Sequence, residues 1–110
     1  MKIYLDASVL ITDDRAAGRV SGVIELAAVP PIGSHVMLAK PLHPVGSINV
    51  RGFTGALKVT DRRFEAVIAD AVSISASLED ICVSSIEEAR QVMQFLEQGF
   101  DLSADEYLDE

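Results

Sequence analysis

Cysteine occurs once in the 110 residues, at Cys82, and tryptophan does not occur. One thiol excludes an intramolecular disulfide framework and an all-cysteine zinc cluster. Two tyrosines and four phenylalanines are too few rings to stock a stacking platform for single-stranded nucleic acid. Seven glycines and four prolines do not make a low-complexity chain. No stretch approaches ~18 consecutive apolar residues, so no membrane span is expected. The opening MKIYLDASVLI reaches Asp6 too early for the uninterrupted apolar segment of a secretory signal, and cytoplasmic residence is the expectation. Gly52 and Gly55 are followed by neither a helix signal nor a lysine-serine pair, and there is no GxSxG elbow. No cofactor is therefore expected.

Bases become scarce toward the carboxyl end. Residues 1–78 hold eight basic and seven acidic side chains, whereas residues 79–110 hold ten acidic ones and Arg90 alone as a base. Nucleic-acid binding needs a basic footprint to displace counterions from phosphates, so the acidic third argues against DNA or RNA as partner. It reads instead as a solvated face ending in an acidic tail over about 103–110, or as a docking surface for a basic protein. Apolar residues are plentiful: 49% of the chain, with a mean hydropathy of +0.28. A domain this small has little interior, so part of that apolar surface must lie outside. A homodimer is the expected way to cover it.

Period-two alternation dominates residues 2–83. Ile3, Leu5, Ala7, Val9 and Ile11 fall on one side of a strand over 2–12, with Asp6 on the polar side. A turn is expected over 13–18 and a second strand over 19–28, with Gly22 on its apolar face as a point of bending or close packing. Pro30 and Pro31 stop that strand, and a third over 34–39 is expected to pair with it antiparallel. The segment KPLHPVG (40–46) is a loop, followed by a short strand at 47–50. Phe53, Leu57 and Val59 continue the alternation to Thr60. Asp61-Arg62-Arg63 reads as a turn, and Phe64, Ala66 and Ile68 as a further strand. The longest signal is 72–83: Val72, Ile74, Ala76 and Leu78 face one way and Ser73, Ser75 and Ser77 the other, until the apolar face switches at Glu79-Asp80 to Ile81 and Val83. That switch requires a bulge or sharp bend, because a one-residue slip turns every side chain over.

One helix is predicted over about 85–98. Ser85 and Glu88 form a capping box, Glu87 and Glu88 suit the positive end of the helix dipole, and Ile86, Ala89, Val92, Met93, Leu96 and Phe100 form the apolar stripe. Gly99 is placed for the left-handed stop, and Ser103–Glu106 for a last short turn. The expected domain, residues 1–110, is α+β. Its sheet is mainly antiparallel, of about five to seven strands, and strongly curved like a partial barrel. The one amphipathic C-terminal helix lies on this sheet or on that of a second subunit.

Chemistry-bearing residues are sparse. Tyr4 to Ile11 resembles the opening strand of PIN-domain ribonucleases. The resemblance implies that Asp6 helps bind Mg²⁺ or Mn²⁺ for phosphodiester hydrolysis. The rest of the chain departs from that family, which alternates strands and helices, and no partner acidic motif is recognisable. His35, His43 and Cys82 are the conceivable zinc ligands, but their spacing is not that of a local zinc site, and Cys82 in its apolar run reads as a buried thiol. Arg51, Lys58, Arg62 and Arg63 are the densest basic group and could join across a hairpin into an anion-binding patch. The expected function is that of a small non-enzymatic interaction or ligand-binding protein, taking itself, a basic protein or a small apolar ligand as partner. The alternatives are a metal-dependent PIN-like ribonuclease using Asp6, and an acidic inhibitor or immunity-type protein. No catalytic or metal residue is assigned.

Overall fold

The computed structural model describes residues 1–12, 15–38, 40–43, 45–46, 48–65 and 73–107. In chain order they form β1 (Lys2–Ile11), β2 (Arg15–Glu25), β3 (His35–Met37), β4 (Ala56–Phe64), β5 (Ile74–Leu78), β6 (Ile81–Val83), α1 (Ile86–Phe100) and β7 (Ser103–Glu106). The class is α+β. Among the described residues there is one seven-stranded sheet, in the order β3-β4-β5-β1-β2-β7 with β6 also beside β1, and one helix. The sheet is mixed. Four pairings are antiparallel, but β5 and β6 both run parallel to β1.

β1 lies centrally and alternates as its sequence demands: Ile3, Leu5, Ala7 and Val9 are buried and the residues between them are not. β5 and β6 are one broken strand on its flank. Tyr4 stands opposite Ser75 and Asp6 opposite Ser77, but Val9 stands opposite Ile81, so the register has advanced by one residue at Glu79-Asp80. That is the irregularity expected from the switch of apolar face, and it keeps Ala76, Leu78, Ile81 and Val83 all buried. The β1–β2 register shifts at the same level, between Val9 and Leu10, so both flanks of the central strand bulge together.

Several local expectations are corrected. β2 begins at Arg15 instead of 19; of the expected turn, Asp13 and Asp14 lie outside the described residues. β3 does not pair with β2 across the proline loop but with β4, because β5 and β1 occupy the intervening places in the sheet. Described residues 48–50 are not strand. Asp61-Arg62-Arg63 is not a turn: β4 absorbs an irregularity between Val59 and Asp61 and continues to Phe64. Ala66, Ile68 and Val72 lie outside the described residues. Ser103–Glu106 is not a helical turn but β7, antiparallel to β2. Of the acidic tail, residues 108–110 lie outside the described residues.

α1 starts where the capping box predicts. Ser85 is extended, and its hydroxyl accepts from the Glu88 N–H at 3.2 Å. The Glu88 carboxylate reaches back one residue further than expected, to the backbone N–H of Ser84 at 3.0 Å and to the Ser84 hydroxyl. At the other end Asp101, not Gly99, adopts the left-handed conformation. Gly99 stays helical, and a Cβ there would press on Pro41 at 3.1 Å. The helix packs on β1, β2 and β7 of its own sheet through Ala89, Val92, Met93 and Leu96.

Described residues between β3 and β4 form a strap along the other flank of the helix. Leu42 and His43 donate backbone N–H groups to Gly99 O near the helix C-terminus, while Gly52 approaches the Cys82 carbonyl near its start. Phe53 meets Phe95, and Phe95 meets Phe100, each edge to face at 5.9 Å. One face of the sheet is thus roofed by helix and strap, and the opposite face is open. No helix among the described residues is long and apolar enough to cross a membrane.

Candidate functional site

The open face is laid out by strand alternation and by the order of the strands. β1 presents Tyr4 and Asp6, and β2 presents Arg19 two residues beyond Ser21, the partner of Asp6. On the other flank, β5 sets Ser75 opposite Tyr4 and Ser77 opposite Asp6. β4 then adds Arg63 opposite Ser75 and Asp61 opposite Ser77. Ser73 and Glu65 extend the surface past the ends of β5 and β4, joined by the Glu65 N–H to Ser73 O bond of 2.7 Å.

Small side chains down the middle and long ones around them make a depression. Ser75 and Ser77 on β5, with Ser73 just before it, keep that row low. Tyr4, Arg19, Arg63 and Glu65 rise beside it, enclosing a hollow of about 400 Å³. This lies within the volume range of small-molecule sites, roughly 300–1,000 Å³. Asp6 and Arg19 bond at 2.5 Å, and the carboxylate raises the guanidinium pKa above its ordinary value, through the hydrogen bond first and the charge second. Arg63 stands 3.9 Å from Asp61 and is otherwise exposed.

The other candidates are scattered. Among the described residues, no group of three or more His, Cys, Asp or Glu side chains could hold a metal ion. Asp6 is engaged by Arg19. His35 lies exposed on β3, and His43 bonds Asp101 at 2.7 Å beside the helix C-terminus. Cys82 is exposed, which corrects the expected buried thiol: Ile81 and Val83 point inward, so the residue between them points out. The basic group does not assemble into one patch. Arg51 lies near Glu88 at the helix start, Lys58 stands opposite His35 between buried Leu57 and Val59, Arg62 faces the helix side opposite Ala76, and of the four Arg63 alone lines the hollow. Arg62 lies over the Phe64 ring at 5.9 Å, and its Nε is the one buried side-chain polar atom without a hydrogen-bond partner among the described residues.

An apolar ligand has little room inside. The core cavity bounded by Leu5, Val20, Leu38, Leu57, Leu78 and Leu102 has about 10 Å³, space for at most about one water. Gln91, Gln94 and Gln98 with Asn49 edge a smaller groove, of about 210 Å³, between helix and strap.

Sequence reasoning placed Tyr4, Asp6 and the serine row on a polar face but did not unite them. Their union depends on β5 inserting parallel beside β1, which no local pattern announces. Compared with models of known families, with curated proteins and with solved structures, the chain matches none.

Proposed function

We propose that the protein is a small non-catalytic ligand-binding module that uses the open face of its sheet, and that it works as a cytoplasmic homodimer. The single observation carrying the binding role is the hollow of about 400 Å³ built by four adjacent strands around the serine row. A solvated sheet face needs no such relief. Here three small residues along β5 and the residue before it coincide with long polar residues on the neighbouring strands.

The sheet is read as curled about its core. Leu38, beside edge strand β3, and Leu102, beside the opposite edge strand β7, line the same small cavity, which supports that curl. The homodimer reading rests on Ile32, Met37 and Phe64, all more than half exposed and spread along β4 from Met37 opposite Ala56 at one end to Phe64 at the other.

Amide NMR titration tests the binding role. Inorganic phosphate, glycine, neutral saccharides, nucleosides and short fatty acids would be added in turn. At least one class is expected to shift the amides of Tyr4, Asp6, Ser75 and Ser77 together. Shifts confined to the groove at Gln91–Gln98, or none on the open face, would overturn the reading.

A further inference from the structure

We infer that the hollow on the open face takes a neutral, polyhydroxylated ligand, a mono- or disaccharide, laid against the Tyr4 ring. This deepens the binding role proposed above and rests on it. The charge balance of the hollow selects the class. Two carboxylates, Asp6 and Glu65, face two guanidiniums, Arg19 and Arg63, so the lining is net neutral. A strongly charged ligand gains little from such a site, and it must compete for Asp6 and Arg19 with the bond they already make at 2.5 Å. A neutral ligand leaves that bond intact. It can use the remaining lone pairs of the carboxylate and the remaining N–H groups of the guanidinium.

The hydrogen-bonding inventory fits hydroxyls better than any single-sign group. Carboxylates accept, guanidiniums donate, and the hydroxyls of Ser73, Ser75 and Ser77 do either. Vicinal hydroxyls need this mixture within a small area. Planar carboxylate and guanidinium groups can each engage two adjacent oxygens at once. Tyr4 supplies what the polar groups cannot: it is 38% exposed beside the serines, and its ring offers an apolar surface to the C–H face of a sugar ring. The volume of about 400 Å³ suits one or two sugar rings in a site open to solvent. So open a site fits affinities near millimolar.

The same NMR titration, run with glucose, N-acetylglucosamine and maltose beside glycine and inorganic phosphate, tests the class. At least one saccharide is expected to shift the amides of Tyr4, Asp6, Ser75 and Ser77 in a saturable way. Tyr4→Ala should weaken it about three- to tenfold, and Tyr4→Phe, which keeps the ring, about twofold or less. An intact amide spectrum would show that both variants fold. Shifts of these amides by glycine or phosphate but by none of the saccharides would overturn the ligand class and leave the binding face standing. So would equal weakening by Tyr4→Ala and Tyr4→Phe, which would deny the ring its role. No response of these amides to any saccharide, glycine or phosphate would overturn the ligand class, and no response to nucleosides and short fatty acids either would overturn both readings.

Discussion

At the scale of single residues, Gly18 is the tightest joint between β2 and its surroundings. It sits in the β2–β7 ladder opposite Glu106 and beneath the helix. A Cβ built there would lie 2.5 Å from the backbone oxygen of Asp105 and 2.6 Å from the Met93 sulfur. The methionine can turn away, since its side chain has three rotatable bonds. The carbonyl cannot, because it belongs to a strand whose register is held by Ala104↔Val20 and Ser103↔Ser21. Gly18→Ala should therefore cost about 1–3 kcal/mol in urea unfolding. Gly46→Ala, where nothing lies within 4 Å, should stay within about 0.5 kcal/mol. Equal effects at the two positions would show that β7 yields easily.

At the scale of elements, the helix start carries a pH dependence. Glu88 accepts from the Ser84 hydroxyl and from the Ser84 N–H, with the positive charge of Arg51 nearby, and these hold its carboxyl below the ordinary 4.5. In the unfolded chain the group returns to the ordinary value. The charged form is thus favoured by folding, and its contribution is complete above pH 4.5 and disappears as pH falls through the lowered value. Glu88→Gln should lower Tm at neutral pH, and the gap from the unsubstituted protein should close as the pH drops below 4.5, as followed by circular dichroism. A gap independent of pH would assign the loss to packing at the cap.

The helix start, the β1 alternation and the break at Glu79-Asp80 were legible because each is a local pattern. The pairing of β3 with β4, the parallel β5 and the strand character of Ser103–Glu106 were not. They are set by which strands meet across long stretches of chain. Asp61-Arg62-Arg63 misled for a related reason: its charges suit a turn, yet here they decorate a strand beyond the helix roof. The candidate site shares this history, with its serine row readable in sequence and its arginines brought in by topology.

At the scale of the whole molecule, the two edges of the sheet differ. The β7 edge carries Asp105 and Glu106, with Glu106 bonded to Arg90 at 2.7 Å. Antiparallel pairing of two such edges would set like charges close together. The β3–β4 edge instead carries Ile32, Met37 and Phe64, with Phe64 63% exposed. Simple strand addition there is obstructed. Because Glu65 donates to Ser73 O, the ladder alternation turns the Arg62 N–H outward, and the Asp61 carboxylate accepts it at 2.9 Å. A second copy would therefore dock through side chains along the length of β4, the two-fold axis setting Met37 at one end against Phe64 at the other end of the partner strand. Each chain has a net charge of −8, so the copies repel at long range and added salt should tighten the dimer by screening. Light scattering at micromolar concentration should report twice the 11.8 kDa chain mass. Replacing Met37 and Phe64 together by glutamate should return the chain mass with Tm nearly unchanged, since both side chains are already more than half exposed in the single chain. A wild-type particle of 11.8 kDa at every concentration and salt level would leave those apolar side chains facing water and end the dimer proposal without touching the open face.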